Sequence, residues 1–242
     1  MILCYKHIFG EDHFTLEKKK FYSEISYVIG LFLLAFGTSL MVKANFGMSM
    51  VVAPAYLIHL KVSQYFAFFS FGMAEYCLQG ALIILLTAIM RKFKMYYLFS
   101  FVTAFLYGQT LDLCTKIADV IPADLFLARC GLFASGILLC TLGIAFLLHT
   151  YLAPEAYELL VKELSEKFNI EFSRLKIGYD MTSFTVSIIL SFVFFGFMHF
   201  VGINWGTLVT AFLNGYLIGK FSKLLDKHFE FSGKLSIEKY FH

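Results

Sequence analysis

Charged residues are scarce in this 242-residue sequence: they make up 15% of it, against about 25% in an average soluble domain. Apolar residues make up 59%, and phenylalanine alone occurs 30 times. A soluble domain of this size cannot bury so many apolar side chains in its core, so its outer surface would be apolar as well. The composition excludes a soluble enzyme, a nucleic-acid-binding module and a disordered chain, and it indicates that the outside faces a lipid bilayer.

The sequence also lacks the short motifs of common catalytic sites. H-E-x-x-H, G-x-S-x-G, G-x-G-x-x-G and the P-loop are all missing, so we expect no enzyme, no cofactor and no metal site. The five cysteines are odd in number and show no C-x-x-C spacing, which favours small core residues over a disulfide framework. A net charge of +3 is too small to indicate a polyanionic partner such as nucleic acid.

Six stretches are apolar enough to cross a bilayer, which takes about 17–25 helical residues. They are residues 25–42, 74–90, 96–113, 132–148, 181–201 and 205–221. A seventh stretch, 50–71, is nearly as apolar but contains His59, Lys61 and Gln64. With six spans, 16 of the 20 Lys and Arg residues fall on one side of the membrane. Positive residues collect on the cytoplasmic side, so both termini are predicted to be cytoplasmic, and a seventh span would spoil this distribution.

The chain contains an internal repeat with an offset of 100 to 107 residues. Val102-Thr-Ala-Phe-Leu-Tyr-Gly108 recurs as Val209-Thr-Ala-Phe-Leu-Asn-Gly215, and Gly30 and Gly37 recur as Gly136 and Gly143. Glu75 is matched by Asp180 at an offset of 105, and Ala53-Pro54 resembles Ala153-Pro154. Each match is weak alone, because apolar helices use few residue types. Four matches in the same order favour a duplication.

The repeat decides how residues 50–71 are interpreted. The corresponding stretch of the second copy, 154–176, contains nine charged residues and cannot cross a bilayer. It predicts an amphipathic helix at the interface, and 50–71 is then a surface or re-entrant helix. Each copy contributes three spans, an odd number, so the second copy is inverted relative to the first.

We therefore predict an all-α polytopic membrane protein with six transmembrane helices. The helices form two inverted-topology repeats of three spans, each with an amphipathic or re-entrant helix. The predicted boundaries are a cytoplasmic N-terminal segment at 1–23, a first repeat at 24–117, a second repeat at 128–225 and a cytoplasmic tail at 226–242.

Polar residues within or beside the spans are the candidate substrate-binding residues, because each costs free energy in lipid. The candidates are Glu75, Gln79, Gln109, Asp112, Asp180 and Asn214. A structural alternative stays open for each kind of residue. A carboxylate such as Glu75 or Asp180 at a helix start is stabilised by the helix dipole. Asp112 is also typical of an outer helix end, and the Asn214 amide is typical of a bond to a neighbouring helix.

Glycine spacing predicts how the spans pack. Gly30 and Gly37 are seven residues apart, as are Gly136 and Gly143, so each pair lines one helix face. We expect the first and fourth spans to pack through these faces. Gly215-x-x-x-Gly219 in the last span is also typical of close helix packing.

The sequence resembles the YczE/YyaS/YitT family of bacterial integral membrane proteins over roughly residues 22–225. The resemblance rests on the Gly30/Gly37 helix, the closing glycine helix and four short motifs. These motifs are Ala44-Asn-Phe-Gly47-x-Ser49, Phe71-Gly-Met-Ala-Glu-Tyr76, Leu175-Lys-Ile-Gly-Tyr-Asp180 and Asn204-Trp-Gly-Thr207. Family members often have a proline where this chain has Met50. The resemblance implies a multi-span protein of the bacterial cytoplasmic (inner) membrane.

Two functions of different classes are consistent with these observations. The first is a small-solute transporter or membrane substrate-binding subunit, with a site for a small molecule or ion between the two repeats. The alternative is a non-transporting accessory or scaffold membrane protein that acts through a membrane or cytoplasmic partner. The charged stretch 154–176 would suit such docking.

Overall fold

The computed structural model describes residues 19–170, 172–196 and 204–232. Eight helices and two short strands occur in these residues. The helices are α1 (Ser23–Ala44), α2 (Ala53–Val62), α3 (Phe71–Met90), α4 (Met95–Asp119), α5 (Phe126–Leu148), α6 (Ala156–Phe168), α7 (Phe172–Phe195) and α8 (Trp205–His228). The strands are β1 (Lys19–Tyr22) and β2 (Phe229–Ser232).

A long helix covers each of the six predicted spans, although the ends differ. α3 begins at Phe71 and α7 at Phe172, earlier than the predicted starts at 74 and 181. The end of the fifth predicted span, beyond residue 196, lies outside the described residues. Four helices (α1, α3, α5 and α7) are long and apolar enough to cross a membrane. The chain is therefore a helical membrane protein. α4 and α8 are more polar, because they contain residues such as Asp112 and Asn214.

The helices α1 and α5 cross at their glycines. A Cβ built at Gly30 would lie 2.9 Å from the Gly143 carbonyl oxygen, and one at Gly37 would lie 2.7 Å from the Gly136 carbonyl oxygen. The two backbones approach this closely because neither face has side chains at these positions. In contrast, the described residues place no atom within 4 Å of a Cβ built at Gly215 or Gly219, so close packing of this second pair is not observed.

The short helices pack on the opposite half of the chain. α2, from the first half, contacts α7, and α6, from the second half, contacts α3 and α4. Each short helix also packs on the long helix that follows it, α2 on α3 and α6 on α7. α4 packs against α1 and α3, and α5 packs against α8. The two halves of the described chain are thus interleaved.

The predicted surface position is wrong for the first part of the stretch 154–176, whereas residues 166–170, at and just after the end of α6, are exposed. Ala156, Tyr157 and Leu159 in the first turn of α6 are at most 1% exposed. On α4, Ser100 Oγ donates to Pro154 O at 2.7 Å and Thr103 Oγ1 donates to Ala153 O at 3.0 Å.

These contacts set the depth at which α6 begins. Thr103 lies eight residues into α4, about 12 Å along its axis at 1.5 Å per residue. α6 then returns toward the start of α4, where Lys94 Nζ lies 2.7 Å from Glu163 Oε2. The predicted stretch is also two elements, because Arg174 and Lys176 belong to α7.

The two ends of the described chain lie side by side. β1 pairs in parallel with β2, from Lys19 opposite Phe229 to Tyr22 opposite Ser232. The prediction of an all-α chain is wrong for these two segments, because α1 and α8 bring them close enough to exchange backbone hydrogen bonds. His149, after the end of α5, lies 3.1 Å from Asp226 in the last turns of α8. The start of α1 and the ends of α5 and α8 therefore share one end of the bundle.

The opposite helix ends meet at the other end of the bundle. Lys43 lies 3.8 Å from Asp119 at the ends of α1 and α4. Arg129 Nε, at the start of α5, donates to Ala44 O at 2.8 Å. The Gly206 N–H, at the start of α8, donates to Phe46 O at 2.9 Å. α1, α5 and α8 therefore each run the full length between these two ends.

Candidate functional site

The carboxylate at the start of α3 is Asp112, not Glu75. Asp112 on α4 accepts hydrogen bonds from the Gly72 N–H at 2.7 Å and from Ser70 Oγ at 2.5 Å. Ser70 Oγ in turn accepts from the Met73 N–H at 3.1 Å. These bonds use the amides that a helix N-terminus leaves unpaired. Glu75 lies one turn further in and is fully buried, so it does not begin the helix as predicted.

Glu75 belongs to a buried polar cluster in which α3 meets the start of α6. Gln79 Nε2 donates to Glu75 Oε1 at 3.4 Å and to Glu155 Oε2 at 3.3 Å. Gln79 Oε1 accepts from the Ala156 N–H at 3.0 Å. Tyr157 OH donates to Glu75 Oε1 at 2.8 Å. We call these four side chains, Glu75, Gln79, Glu155 and Tyr157, the carboxylate cluster.

Both carboxylates of the cluster have a buried oxygen that accepts no hydrogen bond from the described residues. These atoms are Glu75 Oε2 and Glu155 Oε1, in residues that are 0% and 5% exposed. Burying a carboxylate without partners for its oxygens is costly. Burial raises the pKa of Glu155 well above its usual range, and the negative charges of Glu158 and Glu75 raise it further. The cluster therefore favours a state with less than its full negative charge.

A second charged group lies next to the cluster, between α6 and α7. Lys176 Nζ lies 3.5 Å from Glu158 Oε1 and 3.4 Å from Asp180 Oδ1. Asp180 lies two turns inside α7, so it too does not begin its helix as predicted. The rings of Tyr157 and Tyr179 are 6.3 Å apart and link the two groups. The structure thus brings Glu75, Gln79 and Asp180 into one region.

A family described as a family of unknown function (DUF6198) matches residues 21–223. The chain belongs to this family. The chain is also similar to the uncharacterized protein YyaS of Bacillus subtilis (strain 168). The two are 27% identical over 207 residues, which cover 84% of this chain and 94% of YyaS. No solved structure matches the chain. The resemblance to a YyaS-like family, first seen in the glycine helix and the short motifs, is confirmed.

The function of the DUF6198 family is unknown, so the chemistry of this protein has to be inferred from the residues of the site. The predicted candidates Gln109, Asp112 and Asn214 lie apart from the carboxylate cluster. Gln109 is exposed on α4, Asp112 binds the start of α3, and Asn214 is half-buried on α8. Their substrate-binding role stays a prediction. Among the described residues, no group of three or more His, Cys, Asp and Glu side chains could hold a metal ion.

Sequence reasoning missed Glu155, Tyr157 and Lys176 as members of the site. Glu155 directly follows the Ala153-Pro154 match of the repeat. That match serves only to align the two copies, and the charges that follow it predict a surface helix. A buried position for Glu155 required knowledge that Gln79 lies opposite it. No pattern within either segment contains that information.

An open cavity of about 750 Å³ lies between α3, α6 and α7 and reaches the site at Tyr179, although none of the four cluster side chains lines it. Its walls are mostly apolar and include Leu78, Leu82 and Leu160. Tyr179 and Ser183 add hydroxyl groups on the side of α7. Small-molecule sites commonly have volumes of about 300–1,000 Å³ and combine apolar walls with a few polar groups. The cavity has the size and lining of a site for a small solute.

Proposed function

We propose that all six long helices cross the membrane and that the chain is built from two inverted repeats. Two threonines that are related by the repeat support this architecture. Thr103 on α4 donates to Ala153 O, in the loop before α6 of the other half. Thr210 on α8, 107 residues later, donates at 3.4 Å to Met48 O, in the loop before α2. Equivalent residues make equivalent contacts in opposite directions, as a two-fold axis between the halves requires.

The positions of the helix ends also support six spans. β1 and β2 pair at one end of the bundle, so residues 19 and 232 lie on the same side and the number of crossings is even. That end would be cytoplasmic by the distribution of Lys and Arg. Reporter fusions test the orientation: a fluorescent protein after His242 should fold in the cytoplasm, and alkaline phosphatase inserted after Asp124 should be active outside. The reverse pattern would refute the orientation.

We propose that the protein is a transporter for a small solute in a bacterial cytoplasmic membrane. The solute site would be the carboxylate cluster and the adjoining cavity. One observation carries this proposal: Glu75 and Gln79 of the first repeat and Glu155 of the second meet in a buried cluster with two unpartnered carboxylate oxygens. Secondary transporters bind their solutes between such repeats, near the ends of interrupted helices.

The burial of α6 concerns the alternative function, that of a non-transporting accessory or scaffold protein. That role was motivated by an exposed charged helix at 154–176, on which a partner could dock. Leu159, Val161 and Glu163 of α6 are each at most 5% exposed. Lys94 binds Glu163, and Lys176 binds Glu158. No contact among the described residues favours docking at this helix over the transport role.

A thermal-shift screen of the purified protein tests the proposed function. A ligand at a hundred times its Kd should stabilise the folded state by about 2.7 kcal/mol. We expect one class of small solute to raise Tm in a saturable way, and Glu75→Gln or Gln79→Leu to abolish the shift. Glu163→Gln is the matched control, because Glu163 is also a buried carboxylate but binds Lys94 and lies outside the carboxylate cluster.

Two results would contradict the proposal. A shift that persists unchanged in both cluster variants would place the solute elsewhere. The absence of any shift, together with no solute uptake by proteoliposomes that contain the protein, would remove the transport function itself.

A further inference from the structure

The amide of Gln79 has one possible orientation in the carboxylate cluster. Its oxygen accepts from the Ala156 N–H, so its nitrogen must face Glu75 and Glu155. A donor group therefore lies between the two carboxylates and binds one oxygen of each. A hard metal cation needs oxygen ligands at this place. The arrangement suits a proton better than a metal cation.

Four carboxylates lie in and beside the cluster. Glu75, Glu155, Glu158 and Asp180 contribute four carboxylates, and Lys176 is the basic side chain whose contacts with them are described. Tyr107, Tyr157 and Tyr179 also face this group. It costs free energy to keep two carboxylates ionised when both are buried and bind the same amide. A proton bound by one of the two carboxylates removes one of these two buried negative charges.

We propose that Glu75 and Glu155 form a proton-binding site and that the proton is the coupling ion of the transporter. One carboxylate takes up a proton as it becomes a carboxylic acid, and Gln79 stays bonded to both side chains. The unpartnered oxygens, Glu75 Oε2 and Glu155 Oε1, are the atoms that accept the proton. This inference rests on the proposed function for its coupling role, but not for the binding of the proton.

Infrared difference spectroscopy of the full-length protein in lipid nanodiscs tests the proton site without a solute. Spectra recorded across a pH series should contain the carbonyl stretch of a buried carboxylic acid, which loses intensity as pH rises. Glu75→Gln and Glu155→Gln should each change this band, and Glu163→Gln should leave it in place. If either Gln variant fails to fold, the wild-type band and its shift in D₂O still decide the question.

The outcomes separate this inference from the proposed function. A wild-type protein without a titrating carboxylic acid band would overturn the proton site, even if solute binding is found. A band that is unchanged in both folded cluster variants would overturn it as well. A band that behaves as expected in a protein that transports nothing would support the proton site and refute the transport function.

A different observation carries a second inference, about how the two halves move. Gly72 and Gly108 pack α3 tightly against α4: a Cβ at Gly108 would lie 2.6 Å from the Gly72 carbonyl oxygen. Gly178 and Gly215 follow them by 106 and 107 residues, which are the offsets of the repeat. No described atom lies within 4 Å of a Cβ built at Gly178 or Gly215. The glycines of the first half therefore lie in a close helix contact, and the equivalent glycines of the second half have no described neighbour within 4 Å of a built Cβ.

We infer that the two halves exchange these conformations during the transport cycle. In the opposite state, α7 packs against α8 through Gly178 and Gly215, and α3 separates from α4. Inverted repeats can reach an opposite-facing state by this exchange, because each half adopts the other's arrangement.

Cysteine cross-linking in native membranes tests the exchange. With Cys77 replaced by serine, Gly178→Cys/Gly215→Cys should form a disulfide that mass spectrometry identifies. Gly131→Cys/Gly178→Cys is the control pair, because Gly131 also faces open space but lies on α5. If the cysteines introduced at positions 178 and 215 form a disulfide no faster than the control pair, the inference is overturned.

Discussion

Replacing Gly37 by alanine should force α1 and α5 apart. A Cβ at this position would lie 2.7 Å from the Gly136 carbonyl oxygen, the Cys140 amide nitrogen and Cys140 Sγ. These distances are about 0.7 Å shorter than the 3.4 Å at which ordinary contact begins. Two of the three atoms belong to the backbone and cannot rotate away as the end of a side chain can. The helices must therefore shift, and the buried contacts on either side of Gly37 must shift with them.

The size of the effect follows from a matched substitution. Gly131→Ala makes the same chemical change within α5, where no described atom lies within 4 Å of the new Cβ. It should stabilise the protein by about 0.5–1 kcal/mol, because alanine favours a helix more than glycine does. Gly37→Ala gains the same preference but adds an overpacking cost of about 1–3 kcal/mol. The difference between the two variants isolates the cost of packing.

Thermal unfolding in one detergent, followed by tyrosine fluorescence, measures this difference. For a chain of this length, 1 kcal/mol corresponds to about 2–4 °C in Tm. Gly37→Ala should unfold about 2–12 °C below Gly131→Ala. Equal melting temperatures for the two variants would refute the close crossing of α1 and α5.

Three further predictions follow from the described contacts. Asp112→Ala should destabilise the protein by about 1.5–3 kcal/mol, since it removes a charged acceptor from the start of α3. Asp119→Ala should change Tm little, because the Asp119 side chain is 68% exposed in its pair with Lys43. Denaturant titration of both variants compares them, and equal losses would contradict this role of Asp112. Burial raises the pKa of Glu155 in the folded state, so its protonated form stabilises the fold. This stabilisation is fully present below the pKa of an unfolded glutamate, about 4.3. It is lost as the pH rises through the higher pKa of the folded state. The Tm of the wild type should therefore fall as the pH rises between these two pKa values, and the Tm of Glu155→Gln should depend less on pH. Equal pH dependence of Tm in the two proteins would contradict a raised pKa for Glu155. Thr103→Val leaves Ala153 O without its donor and should lower stability by about 1–3 kcal/mol; a Tm equal to that of Thr110→Val, a threonine that bonds only within its own helix, would contradict it.

The long helices could be predicted from the sequence because their information is local. Runs of about 20 apolar residues specify a helix wherever lipid is the solvent. The spacing of seven between Gly30 and Gly37 placed them on one face, and that face meets α5. α3 and α7 are longer than predicted because the sequence assigns Phe71 to the preceding stretch, 50–71, and residues 172–176 to the charged stretch, 154–176.

The buried position of α6 could not be predicted in the same way. A stretch with nine charges has the composition of a surface helix. Its buried charges meet partners from other segments: Gln79 binds Glu155, and Lys94 and Tyr97 bind Glu163. Glu158 is paired within the stretch, by Lys176. Pairing across 66 to 69 residues leaves no periodic signal in either segment. The carboxylate cluster was missed for the same reason, since Glu75 and Glu155 come from different halves.

The interleaving of the halves limits which movements can change the site. α1 and α5 are held backbone to backbone at four glycines, and α6 is held on α4 through Pro154 and Ala153. These contacts keep Glu155 fixed relative to α4. Glu75 lies on α3, whose backbone approaches α4 closely at Gly72 and Gly108. If α3 leaves α4, Glu75 moves away from Glu155 and the bond through Gln79 breaks. Separation of α3 from α4 would therefore expose two carboxylates and release the proton that they share, so the conformation of the first half and the charge of the site would change together.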